Sequence, residues 1–131
     1  MKPIYQTSFS DEKSGIRGNC LWAAMSSITE IPLERFRGFE YLHDGTWFPP
    51  LWEILTEYNF TYLGMVHDKD KILSYDIGID GYYIVCGGSP RGHASGHAVV
   101  FKGGVMVHDP HPENTGLTSI DYAYMIERVE N

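Results

Sequence analysis

Leu21, Ala24, Met25 and Ile28 recur at i, i+3, i+4 and i+7, the spacing of one buried face of an α-helix. Asn19 stands at the N-cap position of this helix, Cys20 falls in its first turn, and Pro32 marks where it must already have ended. Ahead of it, residues 8–19 are rich in turn formers and read as a surface loop. Leu51, Ile54, Leu55 and Tyr58 repeat the helical spacing, with Pro49 and Pro50 suited to the helix start and Trp52 beside them. Around position 60 the pattern changes. Thr61–Val66, Tyr82–Cys86, Ala98–Phe101 and Val105–Val107 are short apolar runs with β-branched and aromatic residues, separated by glycine-rich segments, and Met125–Val129 is read as a last strand. Several of these runs are apolar enough to be buried on both faces. Helices first and antiparallel strands later predict an α+β domain, with N-terminal helices packed on a C-terminal antiparallel sheet.

Composition narrows this picture. The chain has 131 residues, 43% of them hydrophobic and 14% aromatic, enough for one domain with a core that needs no cross-links. No repeat, linker or compositional break divides residues 1–131. Ten basic against seventeen acidic residues give a net charge of -7, and the basic residues are scattered singly, so nucleic acid is not an expected partner. No run of about 18 apolar residues exists, and Met1–Thr7 has no apolar stretch of signal-peptide length, so the expectation is a cytoplasmic protein with no membrane partner. Only Cys20 and Cys86 occur, which argues against a disulfide framework and for a free thiol with a task.

A cysteine at a helix N-terminus meets the positive end of the helix dipole and unpaired N–H groups, conditions that favour the thiolate nucleophile. Cys20 is therefore the candidate nucleophile, against the plain alternative of a small buried hydrophobe. Cys86 closes the run Tyr82-Tyr83-Ile84-Val85 and is expected to pack in the core of a central strand. Gly96-His97 opens one strand and His108-Asp109-Pro110 closes the next. A three-residue loop at 102–104 would pair Phe101 with Val105 and His97 with Asp109, whereas a two-residue Gly103-Gly104 turn would pair Lys102 with Val105 and send Asp109 to the other face. The first register is preferred, because an aspartate facing a histidine fixes its tautomer and stabilises the imidazolium that a nucleophile's base becomes.

Gly-Asn-Cys-Leu-Trp-Ala-Ala-Met at 18–25, Gly-His-Ala-Val-Val at 96–100 and His-Asp-Pro at 108–110 together resemble the papain-like cysteine peptidase superfamily, most closely the small bacterial peptidases that process double-glycine bacteriocin leaders. The chain also resembles a family of small bacterial and phage proteins through Tyr5-Gln6-Thr7, Ile31-Pro32-Leu33-Glu34 and Ser89-Pro90-Arg91-Gly92. Gly-Asn-Cys-Leu before an aromatic is similar to the ovarian-tumour deubiquitinases, except that Arg17 stands where those enzymes have an aspartate. The peptidase resemblance implies a papain-like fold, Cys20 as nucleophile, His97 as general base and acid, Asp109 as the residue orienting it, and no cofactor. It implies an oxyanion donor in Gln6, which lies fourteen residues before Cys20, about twice the usual separation, so the chain from Phe9 to Gly18 must fold out and return. The expected partner is a peptide or protein substrate. Asn19, Trp22, Arg91 and His93 are the candidate substrate contacts, the last two in a loop with four glycines at 87–96, and Trp47, Phe48 and Trp52 are candidates for an opposite wall.

Two other classes compete. His93, His97, His108, Asp109, His111 and Cys20 are all ligand types and could hold a metal, although neither a Cys-x-x-Cys nor a His-Glu-x-x-His motif occurs, and His108 and His111 read as surface residues flanking Asp109-Pro110. A binding or inhibitory protein that keeps a peptidase-like fold without turnover is the third.

Overall fold

The computed structural model describes residues 1–42, 46–74 and 78–129. Two ten-residue helices, α1 (Cys20–Thr29) and α2 (Phe48–Glu57), precede a strand β1 (Phe60–Val66), a short helix α3 (Lys69–Ser74) and four further strands, β2 (Tyr82–Gly87), β3 (His97–Lys102), β4 (Val105–His108) and β5 (Tyr122–Arg128). All pairings are antiparallel and the sheet order is β1-β5-β2-β3-β4. The architecture is α+β, as the change of periodicity near position 60 predicts. Helix α3 has no counterpart in the periodicity, since it is six residues long and buries only Ile72; the Asp68 carboxylate accepts the N–H groups of Asp70 and Lys71 and starts it.

The sheet divides the core in two. Alternate residues of β2 and β3 face opposite ways. Ile84, Cys86, Ala98 and Val100 pack with α1 and α2, while Tyr83, Val85, Val99 and Phe101 pack with Ile72. β2 is the middle strand, so Cys86 is where a buried-on-both-faces run places it.

Helix α1 exceeds its expected single face: all eight residues from Trp22 to Thr29 are buried. The chain before it and the 3₁₀ turns after it (Leu33–Phe36 and Phe39–Tyr41) complete its enclosure, with Lys2 N–H bonded to the Ser27 carbonyl and Ile4 N–H to the Ser27 hydroxyl. The polar residues inside are satisfied locally, Ser27 donating to Ala23 O at 2.7 Å and Thr29 to Met25 O at 2.7 Å. Trp22, expected at a substrate surface, is instead a core residue 3% exposed, its ring 5.6 Å from Phe36, 4.9 Å from Phe39 and 5.4 Å from Trp47. These four rings join α1 to α2. On α2 only Leu51 and Leu55 are buried, and Trp52 is 61% exposed beside an apolar hollow formed with Phe48, Leu51 and Tyr62, away from Cys20.

The β3–β4 hairpin corrects the preferred register. Lys102 pairs with Val105 across a two-residue Gly103-Gly104 turn whose φ angles, 60° and 81°, are both positive. That is the turn geometry matching strand twist, and only glycine adopts it twice in succession without strain. Phe101 then pairs with Met106, but Val100 pairs with His108, so Val107 is an extra residue in β4. This bulge advances β4 by one position and returns Asp109 to the face of Val99 and His97.

Candidate functional site

Cys20 opens α1, whose first helical bond runs from Ala23 N–H to the Asn19 carbonyl at 2.9 Å. The N–H groups of Cys20, Leu21 and Trp22 precede that bond and are left for other acceptors. Asn19 occupies the N-cap, yet its side chain does not cap the helix. Its Oδ1 accepts from the N–H groups of Thr7 and Ser8, each at 3.0 Å, and its Nδ2 donates to the Thr7 hydroxyl. Asn19 is buried, so it ties the N-terminal segment to the residue beside Cys20 rather than offering a surface to substrate.

Residues 9–18 fold out and return. Asp11 and Ile16 exchange backbone hydrogen bonds around a 3₁₀ turn at Glu12–Ser14, and the Ser8 hydroxyl donates to the Arg17 carbonyl at 2.6 Å. Gln6 thereby reaches the site despite its distance in sequence, lining a small cavity with Cys20 and His97. It is 8% exposed; its N–H donates to the Pro110 carbonyl and its Nε2 to the Ser8 carbonyl, both at 3.0 Å. One amide hydrogen remains, and Oε1 is buried with no partner among the described residues.

His97 Nε2 meets Asp109 Oδ1 at 2.6 Å, with His97 5% and Asp109 1% exposed. Asp109 is itself fixed by two backbone donors, His111 N–H to Oδ1 at 2.9 Å and Gly116 N–H to Oδ2 at 2.8 Å. Burial would raise its pKa, but the hydrogen bonds from His97, His111 and Gly116 prevail and hold the carboxyl below its usual value. Burial would likewise lower the His97 pKa, and the hydrogen bond to Asp109 with the neighbouring Cys20 sulfur raises it to about 9. With Nε2 committed to Asp109, Nδ1 is the ring nitrogen left for Cys20.

This coupling predicts a pH dependence of stability. The folded-state pKa of His97 lies above the unfolded value near 6.5, so its stabilisation is complete below about 6.5 and is lost as pH rises through about 9. Chemical denaturation between pH 6 and 9 should show a fall on the order of 3 kcal/mol that is largely removed in Asp109→Asn. Equal slopes in the two proteins would refute the coupling.

A cavity of about 370 Å³ opens beside Cys20 and His97, walled by Leu21, Tyr122, Asp121 and the loop around His93. His93 also borders the smaller cavity on the Gln6 side, where Arg91 lies; Arg91 bonds Thr115 Oγ1 at 3.1 Å and stands 3.8 Å from Glu113. Both expected loop contacts are therefore at the site. His108 and His111, expected at the surface, are buried: His108 Nε2 donates to the Ile4 carbonyl at 2.7 Å, and His111 Nδ1 accepts from Glu113 N–H while its ring lies 6.3 Å from that of His97. Burial first, then the charge of Arg91, lower the His111 pKa and disfavour its charged form beside His97. Among the described residues, no three His, Cys, Asp or Glu side chains are placed to share a metal ion.

Cys86 is packed against α1 and its thiol pKa is pushed up by burial. Cys86→Ala is expected to cost about 1–2 kcal/mol in urea unfolding through the cavity it leaves, with Cys20 chemistry retained; loss of Cys20 reactivity in this variant would overturn the division of roles. Asp121 and Tyr122 are the site residues that sequence patterning missed, since they arrive only because β5 inserts beside β2, pairing Tyr122 with Cys86. No helix among the described residues is long and apolar enough to cross a membrane. No protein-family model, curated protein or solved structure matches the chain.

Proposed function

We propose that the protein is a thiol-dependent hydrolase or acyltransferase of papain-like fold, acting on a peptide, isopeptide or amide through Cys20, His97 and Asp109. The observation that carries this reading is the 2.6 Å bond between two buried groups, His97 and Asp109, whose free imidazole nitrogen is left to a helix-opening cysteine. A core has no need to bury a histidine–carboxylate pair there, because apolar residues of similar volume would do as well.

In the proposed reaction Cys20 passes its proton to His97 Nδ1 and the sulfur attacks the acyl carbon. The tetrahedral oxyanion accepts hydrogen bonds from the N–H groups of the first turn of α1 and from the remaining amide hydrogen of Gln6. His97 then returns its proton to the leaving amine as the C–N bond breaks, giving a thioester. Water or an amine attacks the thioester next as His97 takes its proton, and the C–S bond breaks with that proton passing to the departing sulfur, which releases the acyl product and regenerates the thiol.

The experiment is alkylation of Cys20 by iodoacetamide across pH 5–9 in the Cys86→Ala background, which needs no substrate. The expected result is a rate that persists at pH 6, where a free thiol of pKa near 8.5 is almost silent. A profile matching a free thiol would remove the acyl-transfer reading and leave that of a catalytically silent binding protein.

A further inference from the structure

The larger cavity contains a charge for which the acyl-transfer reading has no use. Asp121 stands one residue before β5, and its N–H donates to the Cys86 carbonyl at 2.9 Å, which anchors it beside the central strand. Its Oδ1 accepts the Ser119 hydroxyl at 3.1 Å, and its carboxylate is exposed. Among the described residues no lysine or arginine lines this cavity and no ion pair engages Asp121. Tyr122 lines the same space, its ring 5.4 Å from that of Tyr124 and 5.9 Å from that of His67. His93 and His97 are the positive or titratable groups on the other walls. The cavity on the Gln6 side carries Arg91 instead of a carboxylate, with Glu113 at 3.8 Å from it.

We propose that Asp121 makes the larger cavity a binding site for a cationic side chain of the substrate, an ammonium or guanidinium carried next to the acyl group that Cys20 attacks. The proposal rests on the function proposed above and adds the substrate class. A carboxylate within a few ångströms of the bound cation, exposed at the mouth of a cavity, favours it by roughly three- to tenfold over a neutral isostere.

The test uses two thiol reagents of opposite charge, aminoethyl methanethiosulfonate and sulfonatoethyl methanethiosulfonate, on the Cys86→Ala protein. Their rates at Cys20 are expressed as a ratio, normalised to the same ratio for a free thiol. The wild-type ratio is expected to favour the cation, Asp121→Asn to lower it three- to tenfold, and 0.5 M salt to erode the difference. Glu53→Gln, the same charge change on the exposed face of α2, is expected to leave it unaltered. Equal shifts in Asp121→Asn and Glu53→Gln, or a wild-type preference for the anion, would overturn the proposal. Failure of the acyl-transfer reading registers separately, as an ordinary iodoacetamide profile, and a ratio that still responds to Asp121 would then sustain the cation site by itself.

Discussion

His97→Ala is expected to lower the alkylation rate of Cys20 at pH 6 by about ten- to a hundredfold, and turnover of any acyl substrate by about a hundred- to ten-thousandfold. The imidazole performs two tasks that no neighbour performs. In the proposed mechanism it takes the thiol proton through Nδ1, and once protonated it holds a positive charge against the sulfur, beside the Asp109 carboxylate at 2.6 Å. His111 cannot substitute, since its Nδ1 accepts the Glu113 N–H and its charged form is disfavoured by burial and by Arg91. The folded state should survive the change, because His97 lies at the first position of β3, where β-sheet pairing continues through Ala98 to Lys102. Circular dichroism measured alongside the kinetics separates lost chemistry from lost structure. If the alkylation profiles of His97→Ala and wild type superimpose while both proteins are folded, His97 is not the base.

Asp109→Ala should be the costlier change for stability, by about 3–5 kcal/mol in urea unfolding. Asp109 is 1% exposed and accepts from three donors: His97 Nε2, His111 N–H and Gly116 N–H. Alanine leaves two backbone N–H groups and an imidazole without their acceptor in a place water does not reach, and each orphaned group costs about 1–3 kcal/mol. Asp109→Asn distinguishes architecture from chemistry. The amide keeps acceptor oxygen and volume, so its stability loss should be less than half that of alanine. Yet it carries no charge to stabilise an imidazolium and can present an N–H to His97, selecting the wrong tautomer. Alkylation of Cys20 at pH 6 should therefore fall nearly as far in Asp109→Asn as in His97→Ala. Equal stability of wild type and Asp109→Ala would mean that the three hydrogen bonds contribute nothing, and with them the case for a built site would fail.

Much of this was legible in local patterning. The i, i+3, i+4, i+7 spacing of Leu21 to Ile28 located α1, and glycine-bounded β-branched runs located the first four strands to within one residue, while β5 begins at Tyr122, three residues before the expected Met125. The burial of Trp22 was not legible. A tryptophan next to a cysteine at a helix start has the same local pattern whether it faces substrate or core, and only Phe36, Phe39 and Trp47 arriving from later in the chain decide it. Asn19 shows the same limit: its type suits an N-cap, but Thr7 and Ser8 offer its side chain competing partners, and the helix start is left open.

The His97–Asp109 contact is the most instructive case, because the expected contact forms through a register that was not expected. Two consecutive glycines favour the two-residue turn, which taken alone would separate the pair, and the bulge at Val107 reverses that separation. A bulge adds one residue against a partner strand, so it is a property of two strands together and has no reliable signature in either. By itself the sequence determined the types of the two longer helices and of the strands, the α+β class and the chemical identities of Cys20, His97 and Asp109, all of which depend on contacts within a few residues or on composition. Tertiary structure alone decided the register that joins His97 to Asp109, the return of Gln6 to the cavity and the arrival of Asp121 and Tyr122 on β5. These depend on pairing between segments tens of residues apart, where the free energy comes from burial and hydrogen bonds made only after the chain has closed on itself.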